Sequence, residues 1–367
     1  MACGSIFSCR DEYIPHLDAS DRKVLIVEGF LNAGDRSGWI KLSRSLPIAA
    51  EGNQSVWTEW GATVVVEGED NSVQPLPQDA EGLYSGPLTL QAALRYRVRI
   101  KTHNNHEYLS EPMEVKESPP IDSIGFNRIN GDVVVHVNTH DNSGQSVYYR
   151  WEFDETWEIN THYFSNFIYE NRAVRRRRPG EERSVCYKYG KSTNVIIGSS
   201  ARLQADRISQ QPLIRIPRND EKLSVRYSIL VRQHVLDKNG YAYFDLLKKN
   251  TEQIGSVFDP QPSELTGNFR CISDPGLPVT GYINAGSISE KRFFIRSAEV
   301  PGWNFYLFCP SKIVTPDSID YYFAGEGYIP YAVKEEIPGT IDYYLGSYPR
   351  CVDCTTRQGS LERPSYW

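Results

Sequence analysis

Cysteine is the residue type in this chain whose positions bear most directly on chemistry. Cys9 follows Ile6-Phe7-Ser8, and a small residue just before the thiol suits the attachment of a lipid during bacterial export. An anchor with more than one acyl chain would hold, because each buried methylene adds about 0.8 kcal/mol. These residues leave one alternative open, an ordinary N-terminus in which Cys3 and Cys9 are unmodified thiols.

The five other cysteines are Cys186, Cys271, Cys309, Cys351 and Cys354. In an exported protein they are able to form disulfides, since oxidising compartments permit them. The Cys351-x-x-Cys354 spacing is also found in half of a zinc site and in redox motifs, but a zinc site would need a second close pair, and the sequence has none. Because the number of these cysteines is odd, at least one thiol stays unpaired. Because the second close pair is missing, we expect no metal site, and we expect no cofactor.

Other motifs that would support catalysis are missing from the sequence. There is no Gly-x-Ser-x-Gly, no His-Glu-x-x-His and no glycine-rich phosphate loop. The run from Arg175 to Arg178 is suited to phosphates or to an acidic partner. A solvated loop neutralised by Glu181 and Glu182 is the interpretation we favour for it. We predict no catalytic residue and no enzyme.

Composition narrows the class of protein further. The 367 residues carry a net charge of −6, which argues against nucleic-acid binding because that function needs a basic patch. No apolar run approaches the roughly 20 residues of a spanning helix, so any membrane attachment is expected to be through lipid. The 23 tyrosines favour half-buried strands and exposed binding faces.

Hydrophobic patterning predicts two successive β domains. In residues 23–117, six or seven short strands alternate with turns, as in Tyr96-Arg97-Val98-Arg99-Ile100, which is typical of an immunoglobulin-like sandwich, here without its Cys…Trp…Cys core. Ser118-Pro119-Pro120 is an extended linker, because proline restricts both itself and the preceding residue.

Beyond the linker, residues 121–309 are predicted to form a second β-sandwich. It contains one helix at about 237–254, with Asp237 as the N-cap and Tyr243, Leu246, Leu247 and Ile254 on its apolar face. Residues 310–367 show little periodicity and are expected to be an extended C-terminal tail. Residues 1–22 are interpreted as an export signal remnant and a lipid-anchored tether.

The C-terminal end, with Arg350-Cys351-Val352-Asp353-Cys354 and Pro364-Ser365-Tyr366-Trp367, resembles that of a Bacteroidota lipoprotein family known only as domain of unknown function 4249. The resemblance covers nearly the whole chain from Cys9. Internal segments that share it are Val27-Glu28-Gly29, Pro119-Pro120-Ile121-Asp122-Ser123, Tyr227 to Gln233, Lys249-Asn250-Thr251, Phe258-Asp259-Pro260-Gln261-Pro262, Gly267-Asn268, Gly281-Tyr282 and Ser289-Glu290-Lys291-Arg292.

The resemblance implies a lipoprotein of the outer membrane. Arg10-Asp11-Glu12 also resembles the Bacteroidota signal for display on the cell surface, so the chain is expected to face the cell surface. The family resemblance also implies a TonB-dependent transporter as partner, with the chain binding a nutrient or capping the transporter without catalysis. The alternative is a structural or adhesive lipoprotein with no transported ligand. The sequence does not identify a ligand or the residues that would bind it.

The resemblance further implies that Cys186, Cys309, Cys351 and Cys354 are the disulfide set, with Cys271 left over. Four cysteines allow three pairings. We favour those in which each tail cysteine pairs with Cys186 or Cys309, so that the bridges staple the tail to the β core. Each bridge would then add roughly 2–4 kcal/mol by restricting the unfolded chain.

Overall fold

The computed structural model describes residues 24–45, 56–252 and 265–367. Cys9, the predicted tether and Ile254 lie outside the described residues. The described chain is mainly β, as predicted, and divides into two compact units. Within the described ranges, the first unit comprises residues up to 115 together with 265–286, and the second comprises residues 116–252 and 287–367.

Short strands fill the chain up to the first boundary between the units. They are β1 (Leu25–Asn32), β2 (Ser37–Ser45), β3 (Val56–Thr58), β4 (Thr63–Gly68), β5 (Val73–Leu76), β6 (Gln78–Ala80), β7 (Leu83–Pro87), β8 (Arg95–Lys101), β9 (Glu107–Ser110) and β10 (Met113–Lys116). Their side chains alternate between core and surface, as strand geometry requires. In β8, for example, Tyr96, Val98 and Ile100 are buried and the arginines between them are not.

The first unit is an immunoglobulin-like sandwich, which confirms the prediction. One layer has the order β6-β7-β2-β1 and the other β5-β4-β8-β9, with β10 beside β8. This is the ABED and CFG arrangement of that fold, with β5 as an added edge strand. The Tyr96 hydroxyl accepts a hydrogen bond from the backbone N–H of Gln91 at 2.9 Å, which is the position of a tyrosine corner.

After the linker, the chain forms a second series of strands and one long helix. They are β11 (Ile121–Ile129), β12 (Asp132–His140), β13 (Tyr148–Asn160), β14 (Phe167–Glu170), β15 (Ala173–Arg176), β16 (Val185–Lys191), β17 (Ile196–Ser199), β18 (Arg207–Ile216), β19 (Arg226–Val235) and α1 (Lys238–Glu252). None of the helices in the described ranges has the length and apolar character needed to span a membrane.

Helix α1 lies within the predicted range and begins at the predicted cap. The Asp237 carboxylate accepts from the backbone N–H of Gly240 at 2.6 Å. The buried contact side chain is Phe244, which packs with Leu236 and Ile197, whereas Leu246, predicted for the apolar face, is only half-buried and lies outside this cluster. The apolar face predicted from the sequence omitted Phe244, which is the residue that makes the buried contact.

After α1 the chain returns to the first unit. This return differs from the sequence prediction, which placed all of residues 121–309 in the second domain. The strands of this return are β20 (Phe269–Cys271), β21 (Val279–Thr280) and β22 (Asn284–Gly286), followed by β23 (Ser289–Arg296) in the second unit. β21 and β22 pair in parallel with β1, and β20 pairs antiparallel with β9. The open edges of β1 and β9 are thereby paired, which removes exposed backbone donors and acceptors.

The second unit repeats the sandwich arrangement of the first. One sheet has the order β11-β12-β18, and the other has β16-β13-β19-β23 with β17 beside β13. These correspond to the ABE and CFG strand sets. Trp151 on β13 is buried at the position of the strand-C tryptophan of that fold, and its indole donates to the Gln233 side chain at 2.9 Å.

The C-terminal region, expected to be an extended stapled tail, is stapled by disulfides and contains a small sheet. Its elements are β24 (Lys312–Val314), β25 (Ile329–Lys334), β26 (Tyr343–Ser347) and the short helix α2 (Pro349–Val352), with a π-helical turn at Asp320–Gly325 and a 3₁₀ turn at Cys354–Arg357. The sheet order is β24-β26-β25. Its core includes Phe323 and Tyr344 and is shared with Tyr169 and Val174 of the β14–β15 hairpin.

Candidate binding surface at the C-terminal disulfides

Two disulfides attach the C-terminal region to the second unit. Cys186 of β16 is bonded to Cys354, and Cys309 to Cys351. Both cysteines of the close pair therefore bond to distant partners and not to each other. Cys271 is a free, buried thiol in the first unit. The structure thus places all four cysteines of the predicted set in disulfides, while Cys9, the predicted lipid site, lies outside the described residues.

The last residues of the chain pack on the outer face of the second unit's larger sheet. The Trp367 indole donates to the Glu158 carboxylate at 2.8 Å and lies between the rings of Tyr187 and Phe294. The Tyr366 ring has the Arg292 guanidinium 3.5 Å from its centre. These contacts give the half-buried Glu158 carboxylate a hydrogen-bond donor and cover the rings of Tyr187 and Phe294, so the terminal Pro-Ser-Tyr-Trp motif is accounted for by packing.

Two glycine segments of the resemblance are also accounted for by packing. A Cβ at Gly281, whose φ is +131°, would lie 2.0 Å from the carbonyl oxygen of Val27. A Cβ at Gly267 would lie 1.8 Å from the carbonyl oxygen of Gly281. Only glycine permits such close backbone approach. These motifs are required for the return segment to pair with β1, and they do not indicate a ligand site.

Two exposed aromatic side chains lie in the extended segment that precedes Cys309, and one of them, Tyr306, is the most exposed aromatic residue among the described residues. Tyr306 is 78% exposed and Phe308 is 57% exposed, while the residues between and beside them are half-buried. The segment is fixed at both ends, because the Trp303 indole donates to the Asp220 carbonyl at 2.8 Å and Cys309 is bonded to Cys351. Tyr306 and Phe308 are therefore presented on the same side of a constrained segment.

Phe308 also forms part of a shallow cleft of about 540 Å³. The other lining residues are Tyr348, Pro349, Arg350 and Thr356. The Arg350 guanidinium is exposed, lies 5.5 Å from the Tyr348 ring, and forms no ion pair with any described carboxylate. The Cys309–Cys351 bond joins the chain neighbours of Phe308 and Arg350, so it holds the two walls of this cleft together. We call this site the aromatic cleft.

A second cleft, of about 490 Å³, lies beside the same C-terminal segment. Its apolar lining side chains are Phe164, Val185 and Leu361, which are 61%, 43% and 42% exposed. Gly180, Glu182 and Ser184 complete it. Exposed apolar side chains that converge on one concave surface are typical of interaction sites. We call this site the apolar cleft.

Two groups of strongly interacting ionisable side chains lie in the sandwich of the second unit. Glu155 is buried and accepts from the Tyr227 hydroxyl at 2.7 Å and from the Lys222 ammonium at 2.7 Å. Burial raises the pKa of Tyr227 well above its ordinary value, so it stays a hydrogen-bond donor. With all members paired to one another, this group stabilises the fold and presents no free acid or base.

Glu152 and His234 form a second such pair. Burial would raise the pKa of Glu152, but the hydrogen bond from His234 and the charges of Arg150 and Arg232 outweigh it and lower the pKa to about 2. Burial lowers the pKa of His234, whose Nε2 lies 3.3 Å from the Glu152 carboxylate. In the part of the chain that the structure describes, no group of three or more metal-ligating side chains converges.

Sequence reasoning did not find the two clefts. Their walls combine residues near 164, 182, 308 and 350, which are brought together by the hairpin and the disulfides. The available signals were the aromatic density of residues 303–308 and the arginine run, and neither gives a location in space. Nothing in local periodicity indicates which exposed aromatic residue borders a cavity.

The comparisons with known proteins give one family match. The model of the family described as domain of unknown function (DUF4249) matches residues 10–292. The matched range ends before Phe308, so all the lining residues of the aromatic cleft lie beyond it. No curated protein matches the chain.

A solved structure with a detectable similarity is described as "a putative carbohydrate binding protein from Bacteroides uniformis ATCC 8492". It is 11% identical, and the alignment covers 60% of this chain and 92% of that one. The TM-score is 0.15. A likeness of that size supports no conclusion about the fold or the ligand of this chain.

Proposed function

We propose a function for this chain from one premise: it belongs to the DUF4249 family. The proposed function is non-catalytic binding at the surface of the bacterial outer membrane, with Cys9 as the lipid attachment point. In this role the chain binds or caps a TonB-dependent transporter during nutrient uptake. The aromatic cleft and the adjacent Tyr306 are the contact surface.

The observation that supports binding is the presentation of Tyr306 and Phe308. Large exposed aromatic side chains cost solvation free energy unless a partner covers them, and they are the side chains that dominate binding energy at interfaces. Here both are held in a segment fixed at Trp303 and Cys309, so little conformational entropy is lost when a partner binds.

The lining of the aromatic cleft fits binding better than covalent chemistry. Phe308 and Tyr348 offer ring faces, Arg350 offers a guanidinium, and Thr356 offers a hydroxyl. Such groups bind aromatic, acyl or carboxylate groups by stacking and hydrogen bonding. The lining includes no carboxylate, imidazole or thiol that would serve as a general base or nucleophile.

The test is purification from native outer membranes with an affinity tag inserted after Gly144. That glycine lies in an exposed turn, and a Cβ there would contact nothing within 4 Å, whereas a tag at Trp367 would disturb its packing. The wild type is compared with Tyr306→Ala/Phe308→Ala and with Trp60→Ala/Leu203→Ala. The control residues are also more than half exposed but lie on other elements.

We expect a TonB-dependent barrel to co-purify with the wild type and the control and to be lost from Tyr306→Ala/Phe308→Ala. Equal recovery from all three proteins would contradict the proposed surface. No barrel with any of them would favour the structural or adhesive role. Mass spectrometry of the N-terminal peptide tests the anchor separately, and an unmodified Cys9 thiol would exclude it.

A further inference from the structure

The arginine run of the sequence lies beside the apolar cleft. Residues 172–183 contain six arginines and two glutamates, in a chain whose net charge is −6. The backbone N–H of Arg177 donates to the Asn166 carbonyl at 2.7 Å, which places the run next to Phe164. Gly180 and Glu182, at the end of the run, line the cleft itself. A locally cationic surface therefore adjoins an apolar depression.

Only part of this positive charge is neutralised within the described residues. Arg175 forms ion pairs with Glu170 and Glu181, each at 2.7 Å. Arg172 pairs with Asp320 at 3.6 Å and Arg183 with Asp353 at 3.8 Å. The hydrogen bonds from Arg175 lower the pKa of Glu181 to about 2, so this carboxylate is committed to that arginine. The favoured sequence interpretation, neutralisation of the run by Glu181 and Glu182, therefore holds for the ion pair of Arg175 with Glu181.

The other arginines of the run have different surroundings. Arg177 is half-buried and donates to the Glu181 carbonyl at 2.8 Å. Arg176 is exposed, with its guanidinium 5.4 Å from the centre of the Phe167 ring, and Arg178 is exposed beside it. Neither Arg176 nor Arg178 forms an ion pair with a carboxylate of the described residues. The Glu182 carboxylate accepts a hydrogen bond from the backbone N–H of Gly180 at 2.7 Å.

We propose that Arg176 and Arg178, together with the apolar cleft, bind an acidic segment of a partner protein that inserts one bulky apolar side chain between Phe164, Val185 and Leu361. Guanidinium groups bind carboxylates through paired hydrogen bonds, and an apolar anchor beside them supplies the buried area that ion pairs at a surface do not. The combination of arginines and exposed aromatic residues is typical of protein interfaces.

The hairpin that carries Arg176 is rigid enough for this role. β14 and β15 pair along their whole length, from Phe167 opposite Arg176 to Glu170 opposite Ala173. Tyr169 and Val174 on the hairpin pack into the core of the C-terminal sheet. The cationic side chains are thus displayed from a fixed support, which limits the entropy lost on binding.

The experiment is a selection from a phage-displayed library of random short peptides on the wild-type protein, with counter-selection on Arg176→Glu/Arg178→Glu. The recovered peptides are then measured against wild type, the double variant, Phe164→Ala and Arg202→Glu/Arg207→Glu. The last variant reverses the same amount of charge at exposed arginines on another part of the second unit. All substituted side chains are exposed, so the fold is expected to be retained.

We expect peptides rich in Asp and Glu with one bulky apolar residue. Their affinity should fall about tenfold or more for Arg176→Glu/Arg178→Glu and for Phe164→Ala, and about twofold or less for Arg202→Glu/Arg207→Glu. Failure to recover any discriminating peptide, or recovery of peptides without acidic residues, would overturn the proposal. So would an equal loss for both charge reversals, which would indicate a net-charge effect.

Two other occupants are tested in parallel. Flotation with vesicles of phosphatidylcholine with and without phosphatidylglycerol tests a lipid headgroup, and sedimentation tests a second copy of the chain. If vesicle binding or self-association depends on Arg176 and Arg178 while no peptide binds, the occupant is a lipid headgroup or a second copy of the chain. Either result would overturn the proposal of an acidic segment. The peptide assay needs neither the lipid anchor nor the transporter, so its result is independent of the membrane pull-down with Tyr306→Ala/Phe308→Ala.

Discussion

The two sandwiches share a strand order but differ in how additional chain is attached to them. In the first, the return segment 265–286 adds β20, β21 and β22 by backbone pairing at open strand edges. In the second, the C-terminal region is attached by the Cys186–Cys354 disulfide, by aromatic contacts and by one backbone bridge between Tyr187 and Ser360, and the Cys309–Cys351 disulfide links two of its own segments. Both kinds of attachment leave depressions, because one of about 460 Å³ lies along the return segment, where its lining includes Phe269, Ile272, Leu277 and Val279. The two clefts described above occur at the second kind of attachment.

The two units also differ at corresponding positions inside their cores. Tyr96 and Tyr227 are each the second residue of their unit's F strand, and both are buried. The Tyr96 hydroxyl bonds to a neutral backbone N–H, while the Tyr227 hydroxyl donates to the buried carboxylate of Glu155. In the second unit, the Lys222 ammonium also donates to this Glu155 carboxylate and balances its charge. The second core therefore depends on charge where the first does not.

The largest expected effect comes from removing the covalent attachments. Loop-closure entropy predicts a loss of about 5 kcal/mol for Cys186→Ser/Cys354→Ser and about 4 kcal/mol for Cys309→Ser/Cys351→Ser, because the closed segments span 168 and 42 residues. Denaturant unfolding without reductant measures both. Cys271→Ala in the first unit removes a free thiol and is the control. A larger loss for the Cys309 pair than for the Cys186 pair would contradict this order.

A smaller effect is expected from the two core tyrosine networks. Glu155→Gln leaves the Lys222 ammonium part-buried without its carboxylate and should destabilise the protein by about 2–4 kcal/mol. Tyr96→Phe removes one neutral hydrogen bond and should cost about 0.5–1.5 kcal/mol. Urea unfolding monitored by tryptophan fluorescence gives both values. Equal losses would show that the two networks do not differ in their dependence on charge.

The smallest effect is expected in the response to acid, because the Glu152 side chain is 40% exposed and solvent screens its interactions. The ordinary pKa of a glutamate is 4.5, and that of Glu152 in the folded protein is about 2. The stabilisation from this carboxylate is therefore present above about pH 5 and is lost as the pH falls toward 2, since the unfolded chain takes up a proton first. Burial of neutral His234 acts in the same direction, because its pKa is also lowered.

We expect Glu152→Gln to lower stability at neutral pH and to flatten the fall between pH 5 and pH 2. Thermal unfolding followed over this range tests the expectation. Glu69→Gln, at an exposed turn of the first unit, is the matched control and should leave the slope unchanged. A wild-type slope that persists in Glu152→Gln would assign the acid response to other groups.

Much of each sandwich was predictable from the sequence because strand periodicity is local. The alternation of Tyr96, Val98 and Ile100 indicates one buried face whatever the rest of the chain does, and Asp237 is an N-cap by its position before α1. The disulfide cysteines followed from a resemblance, and their pairing was left open between alternatives that sequence spacing does not separate.

The return segment and the C-terminal sheet were not predictable by the same reasoning. Residues 265–286 are near the second unit in sequence but complete the edges of β1 and β9, and an edge does not specify which later segment will pair with it. The core of residues 312–347 is shared with Tyr169 and Val174, more than 130 residues earlier. A segment that forms its core together with a distant element shows no clear hydrophobic periodicity in its own sequence.

The sequence by itself determined the β class, most strands of the two sandwiches and the helix, because each depends on side chains that are neighbours along the chain, whereas the disulfide cysteines came from the family resemblance. The tertiary structure decided which strands close the first unit, which cysteines pair, and where Phe308 meets Arg350 and Phe164 meets Leu361. Those contacts join segments that are distant in sequence. Only packing and long-range pairing free energies select among the arrangements that the sequence pattern allows.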